Sequence, residues 1–178
     1  MNLTRVTFEN SDDYQAHVAV EDLFHGQGER ILFRRAGGKL RVLTSSAPKG
    51  ASDCILESRE VTVPAADSFV PFRILFNPTK SVKGATSGRK HGLETVEEAE
   101  AWLRRKLEAG GCSVMQVLVD FEGVHYLEKT NGTPVPPITS YSATGVLCVL
   151  DADKLTELLL KGVGSAKFAG WGMLDIFK

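Results

Sequence analysis

Between Phe69 and Phe177 the hydrophobic period of the chain switches between two and 3.6 in a fixed order, and that order restricts the fold more than any other feature. Phe69 to Phe76 is a strongly extended run that stops at Asn77-Pro78. Thr95 and Glu98 form a capping box ahead of Val96, Ala99, Trp102, Leu103 and Leu107, an apolar helical stripe that Gly110-Gly111 ends. Val114 to Phe121 predicts a strand, and Tyr141 to Leu150 another, after a connection containing Pro134, Pro136 and Pro137. Asp151 caps a second helix over Ala152 to Lys161, with Leu155, Leu158 and Leu159 at helical spacing. Met173 to Phe177 closes as a short strand. The order β-α-β-β-α-β is the ferredoxin-like split pattern, with a sheet on one side and helices on the other.

The first half reads as a divergent copy. Leu3 to Phe8 alternates as a strand, and Ser11 or Asp12 caps a helix running to about Phe24, ended by Gly26 and Gly28. Arg30 to Arg35 and Lys39 to Ser45 flank Ala36-Gly37-Gly38 as a hairpin, and Ile55 to Val63 is a further strand stopping at Pro64. The expected architecture is therefore α+β, with tandem ferredoxin-like (RRM-like) domains over residues 1–66 and 67–178. Their sheets are antiparallel with helices on one face, and a glycine-rich loop lies near the C-terminus. RNA-recognition motifs share this plan, but so do many domains that never meet RNA.

The net charge of −1 gives no overall field for a polyanion, but the charges are segregated. Arg30, Arg34, Arg35, Lys39, Arg41 and Lys49 fall in a stretch with no acidic residue, as do Arg73, Lys80, Lys83, Arg89 and Lys90. Such clusters create a local positive surface for phosphate, or simply solvate strand edges. No apolar run approaches the roughly 18 residues of a membrane span. The first residues, Met1-Asn2-Leu3-Thr4-Arg5, lack a secretory pattern. Cys54, Cys112 and Cys148 are odd in number and offer no CxxC pair, so reduced thiols and a cytoplasmic location are expected.

Three segments carry candidate chemistry. Gly162, Gly164, Gly170 and Gly172 place GxGxxxxxGxG between a helix and a strand, with Lys167 inside it. Glycines let a polyanion approach main-chain N–H groups, although the same pattern serves a tight connection packed on a strand edge. The order helix, loop, strand excludes a Walker loop and a dinucleotide fingerprint. Thr79 to Gly92, rich in Gly, Ser, Lys and Arg and without hydrophobic period, reads as a loop. Tyr14 and His17 stand three apart and share a helical face. Metal-free RNA cleavage needs a base for the attacking 2′-hydroxyl and an acid for the departing 5′-oxygen, and an imidazole suits either task. The same two residues also fit an ordinary helix surface. His25, His91 and His125 form no HExxH or other ligand spacing, so neither a metal nor a cofactor is expected.

These segments together resemble the CasE family, the crRNA-generating endoribonucleases of type I-E CRISPR systems, within the repeat-associated RNA-binding superfamily. The resemblance rests on Asp13-Tyr14-Gln-Ala-His17 with Leu23-Phe24, on Phe72-Arg73-Ile-Leu-Phe76-Asn77-Pro78-Thr79-Lys80, and on Glu97-Glu98-Ala-Glu-Ala-Trp102-Leu103-Arg-Arg-Lys106-Leu107. Gly145-Val146-Leu147 and Asp151 to Gly172 complete it, so it spreads over nearly the whole chain. It implies an enzyme that binds a CRISPR repeat stem-loop and cuts at the 3′ base of the stem. The products would carry a 2′,3′-cyclic phosphate or 3′-phosphate and a 5′-hydroxyl. His17 matches the family's essential histidine and Tyr14 its tyrosine. Lys80, Lys83, Arg89 and Lys90 would meet RNA, together with the glycine loop. The enzyme, a monomer by itself, would remain on the crRNA beside the other subunits of the type I-E surveillance complex. A non-catalytic RNA-binding subunit of the same superfamily is the alternative.

Overall fold

The computed structural model describes residues 3–9, 20, 24, 31–36, 39–44, 55–81, 90–127 and 136–177. Strict alternation along β5 (Phe69–Phe76) sends Val70, Phe72, Ile74 and Phe76 to one face, where each is 3 % exposed or less. Beside it run β8 (Cys112–His125), β9 (Ile138–Val149) and β10 (Leu174–Ile176), in the order β10-β5-β9-β8 with every neighbour antiparallel. Helices α1 (Val96–Ala109) and α2 (Ala152–Lys161) cover the buried face. Ala99, Trp102, Leu103 and Leu107 of α1 and Leu155 and Leu159 of α2 join Phe72, Tyr141, Leu147 and Val149 in one core. Tyr141 keeps its hydroxyl satisfied there by donating to the Leu93 carbonyl at 3.1 Å.

Both helices start as their sequences dictate. Thr95 Oγ1 accepts from the Glu98 N–H at 3.2 Å, and the Glu98 carboxylate reaches back to the N–H of Glu94 at 3.4 Å, one residue before the cap. Asp151 accepts from the Lys154 N–H at 3.0 Å.

A second sheet holds β1 (Leu3–Glu9), β2 (Leu32–Ala36), β3 (Lys39–Thr44) and β4 (Ile55–Val61), in the order β2-β3-β1-β4 and again antiparallel throughout. Reading β1 to β4 in place of β5, β8, β9 and β10, the strand order of the two sheets is the same. Val20 and Phe24, helical and one turn apart, pack with Phe33, Leu40 and Val42 in a smaller core. The rest of the helix expected over residues 11–24 lies outside the described residues.

Alternation along β2 and β3 makes the hairpin two-sided. Phe33, Leu40 and Val42 face the small core, whereas Leu32 and Leu43 enter the large one. On that second face Arg34 and Arg41 stand opposite each other, and both reach Asp175 of β10.

Several expected elements change, among them β2, which spans Leu32–Ala36, and β10, which spans only Leu174–Ile176. Thr79 to Gly92 is not all loop: β6 (Thr79–Ser81) pairs with β7 (Lys90–Gly92) as an antiparallel ribbon, held by backbone bonds that need no apolar period. Strand β8 is longer at both ends than expected, and it absorbs two bulges, between Val114 and Gln116 and between Phe121 and Gly123. Strand β9 begins at Ile138, directly after Pro137, rather than at Tyr141. Strand β4 ends at Val61, two residues before the expected end.

Candidate nucleic-acid interface

The glycine-rich segment leaves α2 at Gly162, passes a 3-10 turn (η1, Lys167–Ala169) and returns to the sheet at β10. Its ends are clamped to the fold. The N–H of Val163 donates to the carbonyl of Gly172 at 2.8 Å, and the N–H of Gly172 donates to that of Leu75 at 2.7 Å. At Gly164, with φ of +82°, a Cβ would lie 2.8 Å from Trp102 Cη2. At Gly172, with φ of +88°, it would run into the Val163 carbonyl oxygen. These glycines thus permit close packing as well as backbone approach.

Asn77 joins this loop to the end of β5. Its amide donates to Ser165 Oγ at 3.2 Å, and the Ser165 hydroxyl donates to the Asn77 carbonyl at 3.4 Å. Asn77 Oδ1 is buried without a hydrogen-bond partner among the described residues. Trp102 stacks on Phe76, with ring centroids 5.9 Å apart, and donates through Nε1 to the Thr79 carbonyl at 3.2 Å. The Asn77-Pro78-Thr79-Lys80 segment, the Trp102 helix and the glycine loop, far apart in sequence, therefore form one rigid corner.

That corner walls a cavity of about 530 Å³ lined by Thr79, Ser81, Trp102, Lys106, Lys161 and residues 162–165 and 167. Lys106 Nζ sits 5.5 Å from the centroid of the Trp102 ring. Of the sequence-predicted residues, Gly162, Gly164 and Lys167 line this cavity, while Gly170 and Gly172 lie farther along the same loop. Lys80 points elsewhere from β6 and pairs with Glu98 at 3.4 Å, both side chains about half exposed. The Glu98 carboxyl is held below its ordinary range, first by the Glu94 N–H and then by Lys80. Lys90 lies on β7, across the ribbon from Ser81. Tyr14, His17, Lys83 and Arg89 lie outside the described residues.

Sequence reasoning missed Asn77, Lys106, Lys161 and Ser165 as contributors to this corner. A signal existed for Lys106, which stands one helical turn beyond Trp102 and so on its face. Lys161, as the last helical residue before the loop, had only its position to mark it. Among the described residues no group of three or more His, Cys, Asp or Glu is placed to hold a metal ion, and no helix is long and apolar enough to cross a membrane.

A family model described as "CRISPR associated protein" matches residues 2–178. The chain belongs to this family. Within it, the CRISPR-associated chain is 31 % identical over 116 residues to the CRISPR-associated endoribonuclease Cse3 of Thermus thermophilus. That match takes in 59 % of this chain and 54 % of the relative, so the chain spans about half the length of the curated protein it matches. The solved structure of Thermus thermophilus Cse3 bound to an RNA representing a pre-cleavage complex superposes with a TM-score of 0.80 at 22 % identity, covering 99 % of this chain and 98 % of that one. A chain of a CRISPR RNA-guided surveillance complex does so with a TM-score of 0.74 at 18 % identity, covering 99 % and 98 %. At these identities the structural likenesses establish the shared fold. The family match and the curated relative bear out the resemblance to the CasE family read from the sequence.

Proposed function

We propose that the chain is a metal-independent endoribonuclease that cuts CRISPR precursor RNA at the base of the repeat stem-loop and stays on the mature crRNA. The observation that carries this reading is the likeness to the Thermus thermophilus endoribonuclease Cse3, 31 % identical over 116 residues. The packing of the glycine loop against the Asn77–Lys80 segment agrees with it, since two segments singled out for RNA binding meet at one corner.

In this reading the tandem domains are ferredoxin-like, over residues 1–66 and 67–178, which the matching strand order of the two sheets supports. His17 moves the proton of the attacking 2′-hydroxyl or of the leaving 5′-oxygen, and Tyr14 orients or donates beside it. Nucleophile and leaving group share one phosphorus, so attack closes a 2′,3′-cyclic phosphate and releases a 5′-hydroxyl. Cations stabilise the charge that builds on the phosphorane oxygens. Lys80, Lys83, Arg89, Lys90, Lys167 and the loop glycines hold the RNA. The protein works in the cytoplasm, monomeric until it joins the other subunits of a type I-E surveillance complex.

The test is a single-turnover reaction of the wild type and of His17→Ala on a cognate repeat hairpin. One cut by the wild type and none by the variant, with hairpin affinity nearly unchanged, supports the reading, because phosphate contacts rather than His17 dominate affinity. Tight binding by the wild type without a cut supports a non-catalytic RNA-binding subunit instead.

A further inference from the structure

The cavity between α1, α2 and the glycine loop carries a charge pattern unlike the chain around it. Among the described residues its lining includes Lys106, Lys161 and Lys167 and no carboxylate, in a protein whose acidic residues outnumber its Lys and Arg, 22 to 21. Three hydroxyls, on Thr79, Ser81 and Ser165, complete the polar wall. The backbone N–H groups of Gly164, Ser165 and Ala166 have no acceptor among the described residues. The chain is left-handed at Gly164 and Ala166, with φ of +82° and +61°, on either side of Ser165. Alternating hand of this kind turns successive N–H groups into a concavity that suits an anion. Ala166 holds that conformation although it is not glycine, a strain of the sort that collects at ligand sites.

We propose that this cavity binds a single phosphate group, and that Lys106 and Lys161, one from each helix, are its side-chain cations beside Lys167. The phosphate belongs to RNA, either a diester in the backbone or a terminal monoester; this attribution rests on the proposed function, whereas the cavity does not. Three lysines lining one cavity, with main-chain N–H groups in the same wall, suit tetrahedral oxygens better than a planar carboxylate. Lys161 now pairs with Glu157 at 2.7 Å, both side chains about two-thirds exposed. A solvated pair of this kind holds the ammonium only weakly against a phosphate. Trp102 is sandwiched between Phe76 and the Lys106 ammonium, so it forms a floor rather than a platform for a base.

The test follows backbone amides of the full chain by NMR during titration with inorganic phosphate or with dimethyl phosphate, at constant ionic strength set by chloride. The expected result is saturable movement of the Gly164, Ser165 and Ala166 amides. The apparent affinity should weaken about tenfold in Lys106→Met/Lys161→Met. Methionine keeps an unbranched stem over Trp102, so the fold is retained. Stronger response to inorganic phosphate assigns a terminal monoester, and stronger response to dimethyl phosphate a backbone diester. Amides that move no more than with chloride alone, or a double variant with unchanged affinity, overturn the proposal. With repeat RNA, the same variant should lower the magnitude of the log–log salt slope by about 1, while Lys154→Met on the same helix leaves it unaltered. Saturable phosphate binding without any repeat-RNA binding by the wild type would refute the ribonuclease reading and leave the cavity assignment standing. Unchanged RNA salt dependence in the double variant would remove the cavity from the RNA path.

Discussion

Arg34 Nη2 lies 2.7 Å from Asp175 Oδ2, joining β2 to β10 across 141 residues of sequence. Asp175 is fully buried and Arg34 nearly so, and Arg41 approaches the same oxygen at 3.5 Å. The bond is where the smaller sheet grips the edge of the larger one, next to Leu32 and Leu43 in the shared core. Removing one side of a buried pair strands the other charge in a poorly solvated place. Asp175→Ala should therefore cost roughly 3–5 kcal/mol of unfolding free energy. Urea denaturation checks this; a loss below about 1 kcal/mol, the usual value of a surface pair, would show that the pair is solvated.

Gly164→Ala tests the packing of the loop. The added Cβ meets the Trp102 ring at 2.8 Å in a backbone conformation that alanine disfavours. The left-handed backbone alone costs roughly 1–2 kcal/mol, so a stability loss at or above that is expected, with weaker RNA binding. Gly123→Ala is the control for conformation without crowding. Its φ is +118° and nothing among the described residues lies within 4 Å of the new methyl, so RNA affinity should not fall with it.

Lys80→Ala should weaken repeat binding across sequences and reduce the magnitude of the salt slope by about 1. Its Glu98 partner is exposed, so breaking that pair should change stability by no more than about 0.5 kcal/mol. Affinity measured against salt separates the two effects.

Cys112 provides a pH prediction. Burial pushes its thiol up from 9.0 to about 11, with the neighbouring Cys148 adding to the shift. The folded state then keeps its proton after the unfolded state has lost it. Stability is accordingly full below pH 9 and declines as pH rises from about 9 to about 11. Urea midpoints over that range should fall less in Cys112→Ser, and the wild-type thiol should resist alkylation at pH 8 until the chain unfolds.

What was legible in the sequence was local. The Thr95–Glu98 box, the Asp151 cap and the alternation of β5 each depend on residues within one or two turns, so their side chains reveal them. The β6–β7 ribbon was not legible, because Thr79–Ser81 and Lys90–Gly92 are held by backbone pairing without an apolar stripe. The Arg34–Asp175 bond was also hidden, since neither residue's neighbours mark it as buried and the partners come from opposite ends of the chain. The cavity shows the same division. Gly162, Gly164 and Lys167 stood out as a motif, whereas Lys106 and Lys161 look like ordinary charges on solvated helices until the loop folds against them.

The most direct test of the central claim is single-turnover cleavage of the cognate repeat hairpin in EDTA, using an all-ribose substrate and one with a single 2′-deoxy substitution at the cut. Internal attack by the 2′-hydroxyl predicts one cut at the stem base of the ribose substrate, ending in a 2′,3′-cyclic phosphate or 3′-phosphate, and an intact deoxy substrate. Cleavage of the deoxy substrate at the same rate, or loss of all cleavage in EDTA that a divalent cation restores, would contradict it.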